Sequence, residues 1–188
     1  MSRIIAGAAG GNPLQSVPGS ATRPTTDRVK EALFSRLEAL GVIDDARALD
    51  LYAGSGALGV EAASRGAAAA ELVEFDARAS AICQRNADTV NQALGRKTVT
   101  VHRSKVESFL ERATEGTLWD LVFLDPPYPL DEPALQAVLA KLAGHLDDGA
   151  VVVVERSSRS PEPDWPETLE RFAGKKYGET MLWFAEPA

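Results

Sequence analysis

The sequence predicts an α/β fold, a doubly wound and mostly parallel sheet of seven strands with an antiparallel C-terminal edge, on three observations. Short apolar segments alternate with amphipathic ones over most of the chain, joined by short links. A glycine-rich turn follows the first of these strands. Four consecutive valines, Val151 to Val154, read as a central strand covered on both faces.

Before the alternation begins, two short apolar pieces, around Ile4 to Ala6 and Leu14 to Val17, are separated by Gly7, Gly10, Gly11 and Pro13, which predicts a small hairpin or extended arm. Residues 1–22 are taken as this arm and 23–188 as the main domain. A helix is expected from Thr25 or Thr26, because Pro24 cannot sit in a helix interior and Val29, Leu33, Leu37 and Leu40 recur at helical spacing before Gly41. Then come a strand at Ala48–Tyr52, a helix at Ala57–Ser64, a strand at Ala70–Phe75, and a long helix at Ala77–Leu94 between a capping Asp76 and Gly95. Val99–His102 is a third strand, Val106–Ala113 a helix, Leu118–Leu124 a fourth strand, and Pro133–Leu146 a helix that leads into the valine strand. Thr168–Tyr177 and Glu179–Ala185, turning at Gly178, read as two antiparallel strands closing the sheet.

Composition narrows the function. With 188 residues, 45% of them hydrophobic, the chain suits one packed domain and not a disordered segment. A single Cys83 cannot form an internal disulfide, and with His102 and His145 it makes no metal cluster, so no metal is expected. No apolar run approaches the roughly 18 to 20 residues that span a bilayer, and Gly10 to Pro13 interrupt the start too early for a secretory signal, which predicts a cytoplasmic protein with no membrane partner. The net charge of −7 argues at first against a nucleic-acid partner. Its distribution argues otherwise, since residues 1–37 hold five basic side chains, Arg3, Arg23, Arg28, Lys30 and Arg36, against Asp27 and Glu31.

Two segments carry the chemistry. In Asp50-Leu51-Tyr52-Ala53-Gly54-Ser55-Gly56-Ala57-Leu58-Gly59, the glycines allow a tight turn and close approach of a ligand, and the spacing also fits a dinucleotide fingerprint. Asp50 would repel a pyrophosphate, while Glu74, at the end of the second strand, can accept ribose hydroxyls under either a dinucleotide or an S-adenosylmethionine reading. Downstream, Asp125-Pro126-Pro127-Tyr128 sits at the carboxyl end of the fourth strand, where open parallel sheets bind ligands. The prolines rigidify the loop and free the carbonyl near Pro126, which with Asp125 can hold both hydrogens of a planar exocyclic amino group. Tyr128 offers a face on which a flipped base stacks.

Together these segments resemble a class I S-adenosylmethionine-dependent methyltransferase acting on an amino nitrogen. The stretch Thr22-Arg23-Pro24-Thr25-Thr26-Asp27-Arg28-Val29-Lys30-Glu31-Ala32-Leu33-Phe34 and the run from Gly54 to Ala62 with Ser64 to Ala67 are more particular. They resemble the bacterial small-subunit rRNA guanine-N2 methyltransferase family, which methylates guanine 966 of 16S rRNA, along nearly the whole chain. The resemblance implies a Rossmann-like fold with S-adenosylmethionine as cofactor and 16S rRNA or the small ribosomal subunit as partner. It places Asp50, Gly54, Ser55, Gly56 and Glu74 on the cofactor, and Asp125, Pro126, Pro127 and Tyr128 around the target base. The RNA is expected against the arm and the following helix, at Arg3, Arg23, Thr25, Arg28 and Lys30. There are two departures. Lys105 stands where such enzymes often place an acid for the adenine amino group, leaving that contact to Ser104 or to backbone near Val106, and Gly11-Asn12-Pro13-Leu14 replaces a Gly-Arg-Arg-Leu type of run.

Rival acceptors are adenine N6 in DNA and a protein glutamine, to which the same loop chemistry applies. A nicotinamide-dependent oxidoreductase leaves Asp125 to Tyr128 without a role, and a noncatalytic RNA-binding assembly factor needs no cofactor. Nothing in the sequence requires more than a monomer.

Overall fold

In the computed structural model, which describes residues 2–18 and 26–188, the Thr26 hydroxyl accepts the Val29 N–H at 3.3 Å and opens helix α1 (Asp27–Leu40). Gly41, left-handed at φ 71°, ends it. Strand β3 (Arg47–Leu51) is next, then α2 (Ala57–Ser64), β4 (Ala69–Glu74) and α3 (Ala77–Leu94), whose cap is the expected Asp76 accepting from Ala79 N at 2.9 Å. The pattern continues with β5 (Val99–Arg103), α4 (Val106–Arg112), β6 (Trp119–Leu124), α5 (Glu132–Ala143) and β7 (Leu146–Ser157). β8 (Leu169–Tyr177) and β9 (Thr180–Pro187) complete one seven-stranded sheet, in the order β5-β4-β3-β6-β7-β9-β8. The first five strands are parallel, and β9 runs antiparallel to both its neighbours.

Side-chain alternation along the strands builds a core on each face. Leu121, Phe123, Val151 and Val153 face α1, α2 and α3, while Val122, Leu124, Val152 and Val154 face α4 and α5. The valine run is the doubly covered strand expected. The fifth helix, expected to continue to Leu146, stops at Ala143 because Leu146 pairs with Trp119 and belongs to β7, a strand of 12 residues.

The N-terminal hairpin pairs β1 (Ser2–Arg3) with β2 (Pro13–Leu14), earlier on its first side than the apolar pieces suggested. What would have continued the strand is diverted to α2. Glu61, fully buried, accepts the N–H groups of Ile5 at 2.9 Å and Ala6 at 3.1 Å, and Arg65 Nε at 2.8 Å. Lys30 Nζ lies 3.5 Å from Glu61 and donates to the Arg3 carbonyl at 2.6 Å. Ser64 accepts from Ala9 N and donates to the Ala6 carbonyl. Ile4 and Leu14 thereby join the core shared with α1 and α2.

Between β3 and α2 the packing is closer than a side chain permits. A Cβ on Gly59 would lie 2.1 Å from Leu72 Cδ2, and the Gly59 N–H instead donates to Asp50 Oδ2 at 2.9 Å. Gly56, at φ 80°, turns the chain into the helix. Asp50 is 2% exposed, and burial, with Glu74 and Glu155 adding to it against the Gly59 hydrogen bond, pushes its carboxyl up to about 8.

Two expectations follow. Glu61→Ala leaves Lys30 and two backbone donors buried without their acceptor, so it should cost about 3–5 kcal/mol, read by urea unfolding, with amide exchange at Ile5 and Ala6 rising most. Asp50 has its carboxyl pKa raised above that of the unfolded chain, so the stability it contributes is full below about pH 4 and is lost as pH rises towards 8. Asp50→Asn should therefore show urea midpoints that decline less between pH 5 and 8 than those of the unsubstituted protein; equal declines would place the buried proton elsewhere.

Candidate functional site

The strand order reverses between β3 and β6, and the carboxyl ends of β3, β4 and β6 open there into a cavity of about 600 Å³. Of the residues expected on the cofactor, Gly54, Glu74, Ser104 and Val106 line it, and Asp125 closes one side. Glu74 is already oriented, one oxygen accepting from Gly54 N at 2.8 Å and the other from Asp76 N at 2.9 Å. Asp50, Ser55 and Gly56 do not line the cavity. Asp50 is held beneath the loop by Gly59, while the Ser55 carbonyl accepts from Asn86 Nδ2 at 2.7 Å. Their part is to fix the loop's shape.

Several lining residues escaped the sequence reading. Phe75 is 59% exposed at the end of β4, and Lys105 Nζ sits 5.4 Å from its ring centroid. Tyr52 follows β3 with a positive φ of 58°, and its buried hydroxyl has no hydrogen-bond partner among the described residues. A strained backbone in a cavity wall is the kind of feature found at functional sites. Val17 and Pro18 bring the arm into the wall, held there by Asn86, whose Oδ1 accepts from Gln15 N at 2.9 Å and whose Nδ2 donates to the Gln15 carbonyl at 3.0 Å. Cys83 donates its thiol to the Gly54 carbonyl at 2.9 Å, and burial holds that thiol protonated, which makes it a prop for the loop and no nucleophile. Ser104 spends its hydroxyl locally, donating to the Lys105 carbonyl and accepting from Arg112.

Asp125 borders a second, smaller cavity of about 240 Å³ on its other side, lined also by Pro126, Tyr128, Glu155, Arg156, Ser157, Ser160 and Thr180. Pro126 is buried, Pro127 faces the larger cavity, and Tyr128 is 63% exposed at the rim of the smaller one. Burial first, then the charge and hydrogen bond of Glu155 and the charge of Asp50, raise the Asp125 carboxyl well above the usual carboxylate range, and Arg156 opposes this. Asp125 and Glu155 thus lie close enough for each to bear on the other's charge.

The basic residues expected on RNA divide. Arg3 and Arg28 are exposed, Arg3 lying 3.8 Å from Asp27. Lys30 is a correction, because it is fully buried against Glu61 and the Arg3 carbonyl and has no surface to offer a phosphate. Arg23 and Thr25 lie outside the described residues. Among the described residues no group of His, Cys, Asp and Glu could hold a metal ion, and no helix is long and apolar enough to cross a membrane.

The chain is similar to known proteins over most of its length. The chain is 39% identical over 177 residues to ribosomal RNA small subunit methyltransferase D of Escherichia coli K12, covering 92% of this chain and 85% of that one. The protein of the same name from Haemophilus influenzae is 33% identical over 159 residues, with 85% and 80% covered. Among solved structures, a hypothetical protein of Thermus thermophilus, TTHA0928, superimposes with a TM-score of 0.81 at 33% identity over 99% of both chains. A family model described as Conserved hypothetical protein 95 matches residues 2–186, so the chain belongs to this family, the one that contains ribosomal RNA small subunit methyltransferase D.

Proposed function

We propose that the chain transfers a methyl group from S-adenosylmethionine to the exocyclic N2 of a guanine, guanine 966 of 16S rRNA, flipped out of its stack. The observation that carries this reading is that Asp125 belongs to two cavities at once, one of about 600 Å³ and one of about 240 Å³. A group-transfer enzyme needs such a boundary residue, because the two reacting atoms must meet within van der Waals reach without water between them.

The larger cavity suits the cofactor. Glu74 can accept ribose hydroxyls, and Phe75 and Val106 give apolar surface for a purine. Bound there, S-adenosylmethionine supplies its methyl group as an electrophile. The protein does the rest by placement. Asp125 and the Pro126 carbonyl accept the two amino hydrogens, so that the nitrogen's lone pair turns towards the larger cavity. The raised affinity of Asp125 for a proton lets it take the one that the methylated nitrogen sheds. Tyr128 at the rim stacks on the base, and the energy of unstacking is met by those contacts. Exposed Arg3 and Arg28, with Arg23 and Thr25 between them in sequence, are proposed to grip the RNA backbone.

The test is transfer of labelled methyl to small subunits that lack their native modifications, followed by nucleoside mass spectrometry. Label is expected in N2-methylguanosine, and Asp125→Ala should lower turnover by about a hundredfold or more, since misplacing the reacting atom by an ångström costs that much, while S-adenosylmethionine affinity stays within a few-fold. Loss of affinity equal to the loss of turnover would remove Asp125 from the acceptor side, and label in N6-methyladenine of DNA or in protein glutamine would replace the rRNA reading.

A further inference from the structure

Glu155 follows Val154, whose register partner on β6 is Leu124, so Glu155, still within β7, lies beside Asp125, the first residue past the end of β6. Glu155 is 9% exposed, is hydrogen-bonded to Asp125, and lines the smaller cavity with it. Neither the glycine loop nor the Asp-Pro-Pro-Tyr segment accounts for it. A buried carboxylate beside another is costly and persists where something uses it.

The geometry of the pair defines what it can recognise. Asp125 and Glu155 stand side by side in the lining of the smaller cavity, and carboxyl oxygens are acceptors. Two adjacent acceptors match two adjacent donors. Guanine presents such an edge, with the N2 amino group beside the N1 hydrogen and then O6 as acceptor. Among the cavity's other lining residues, Ser157, Ser160 and Thr180 carry hydroxyls of the kind O6 needs, beside Arg159 and Glu179, which pair with each other at 3.7 Å. Adenine presents an amino group beside a ring-nitrogen lone pair, which would face a carboxyl oxygen with no hydrogen between them. Arg156 does not supply a counter-charge free of other ties, since its Nη2 donates to Glu132 at 2.8 Å.

We propose that Glu155 accepts the N1 hydrogen of the flipped guanine while Asp125 holds its amino group, which makes Glu155 the residue that selects guanine over other amino-bearing bases. This rests on the guanine-N2 reading and deepens it. Asp125 serves any exocyclic amino group, whereas Glu155 reads the atom next to it.

The test replaces the acceptor guanine by 2-aminopurine in reconstituted small subunits. 2-Aminopurine keeps the amino group, turns N1 from a donor into an acceptor and lacks O6, so the share of the discrimination due to N1 is read from how far it changes in the Glu155 variant. The unsubstituted protein should favour guanine in kcat/KM by roughly tenfold or more, the discrimination that one well-placed base-edge contact provides. In Glu155→Gln, whose amide can donate as well as accept, that ratio should collapse several-fold towards unity, with S-adenosylhomocysteine affinity unchanged as the sign of an intact fold. Binding without turnover gives a second readout, because 2-aminopurine fluoresces when unstacked and should brighten more with the Gln variant. If the unsubstituted protein uses both bases equally, or the variant keeps the original ratio, the role of Glu155 is overturned and the guanine-N2 reading stands. If the unsubstituted protein labels adenine N6, or no nucleotide at all, both are overturned together.

Discussion

The site depends on how closely α2 lies against the strands it follows. Gly59 lets the helix backbone reach within hydrogen-bonding distance of Asp50, and Leu72 occupies the space that any side chain at that position would need. With the helix drawn in, the preceding turn must climb steeply out of β3, which puts Tyr52 and Gly56 into positive φ and leaves the Gly54 N–H facing Glu74. A looser helix would relax the turn and separate those groups. The strain at Tyr52 is thus the local cost of a loop held ready for a ligand.

A second constraint is the burial of charge. Acidic groups sit at both ends of the parallel strands' environment, and each is handled differently. Glu61 is satisfied completely by two backbone N–H groups, Arg65 and Lys30, and that satisfaction fastens the N-terminal segment to α2. Asp50 has one backbone donor and retains a proton into neutral pH. Asp125, beside Glu155, is held above the usual carboxylate range by burial and by that neighbour. The gradation is chemically coherent: full compensation where the role is to hold chains together, partial compensation where a substrate's hydrogens must find an acceptor.

Much of this was readable from the chain, and the reasons differ by residue. Capping by Thr26 and Asp76, helix ends at Gly41 and Gly95, and the valine strand follow from local rules, and local rules hold where packing reinforces them. The helix before β7 overran because Leu146 fits a helical stripe as well as a strand, and only the pairing with Trp119 decides between them. Lys30 was misplaced for a similar reason. A lysine in a basic stretch reads as surface, and nothing local announces that Glu61, 31 residues away, will bury it. Asp125 and Glu74 are visible because strand ends next to a switch point collect ligand groups, whereas Asn86 and Glu155 act across elements and show only once α3 and β7 are in place.

The action on RNA proposed above does not conflict with the protein's acidity once the two kinds of contact are separated. Phosphates are met by cations and fix position, while bases are read by whatever complements their edges. An edge made of donors demands acceptors, and carboxyls are the strongest ones a protein has. Negative charge concentrated at the floor of the smaller cavity therefore serves recognition there, provided the backbone is gripped elsewhere. The exposed cations Arg3 and Arg28 near the arm, and Arg159, Lys175 and Lys176 around the β8–β9 end, stand on the surface away from that floor. Arg159, 86% exposed in its side chain and lining the smaller cavity, is placed to meet a phosphate there only by exchanging its pairing with Glu179, so the ionic strength at which the backbone is gripped sets how strongly that end contributes.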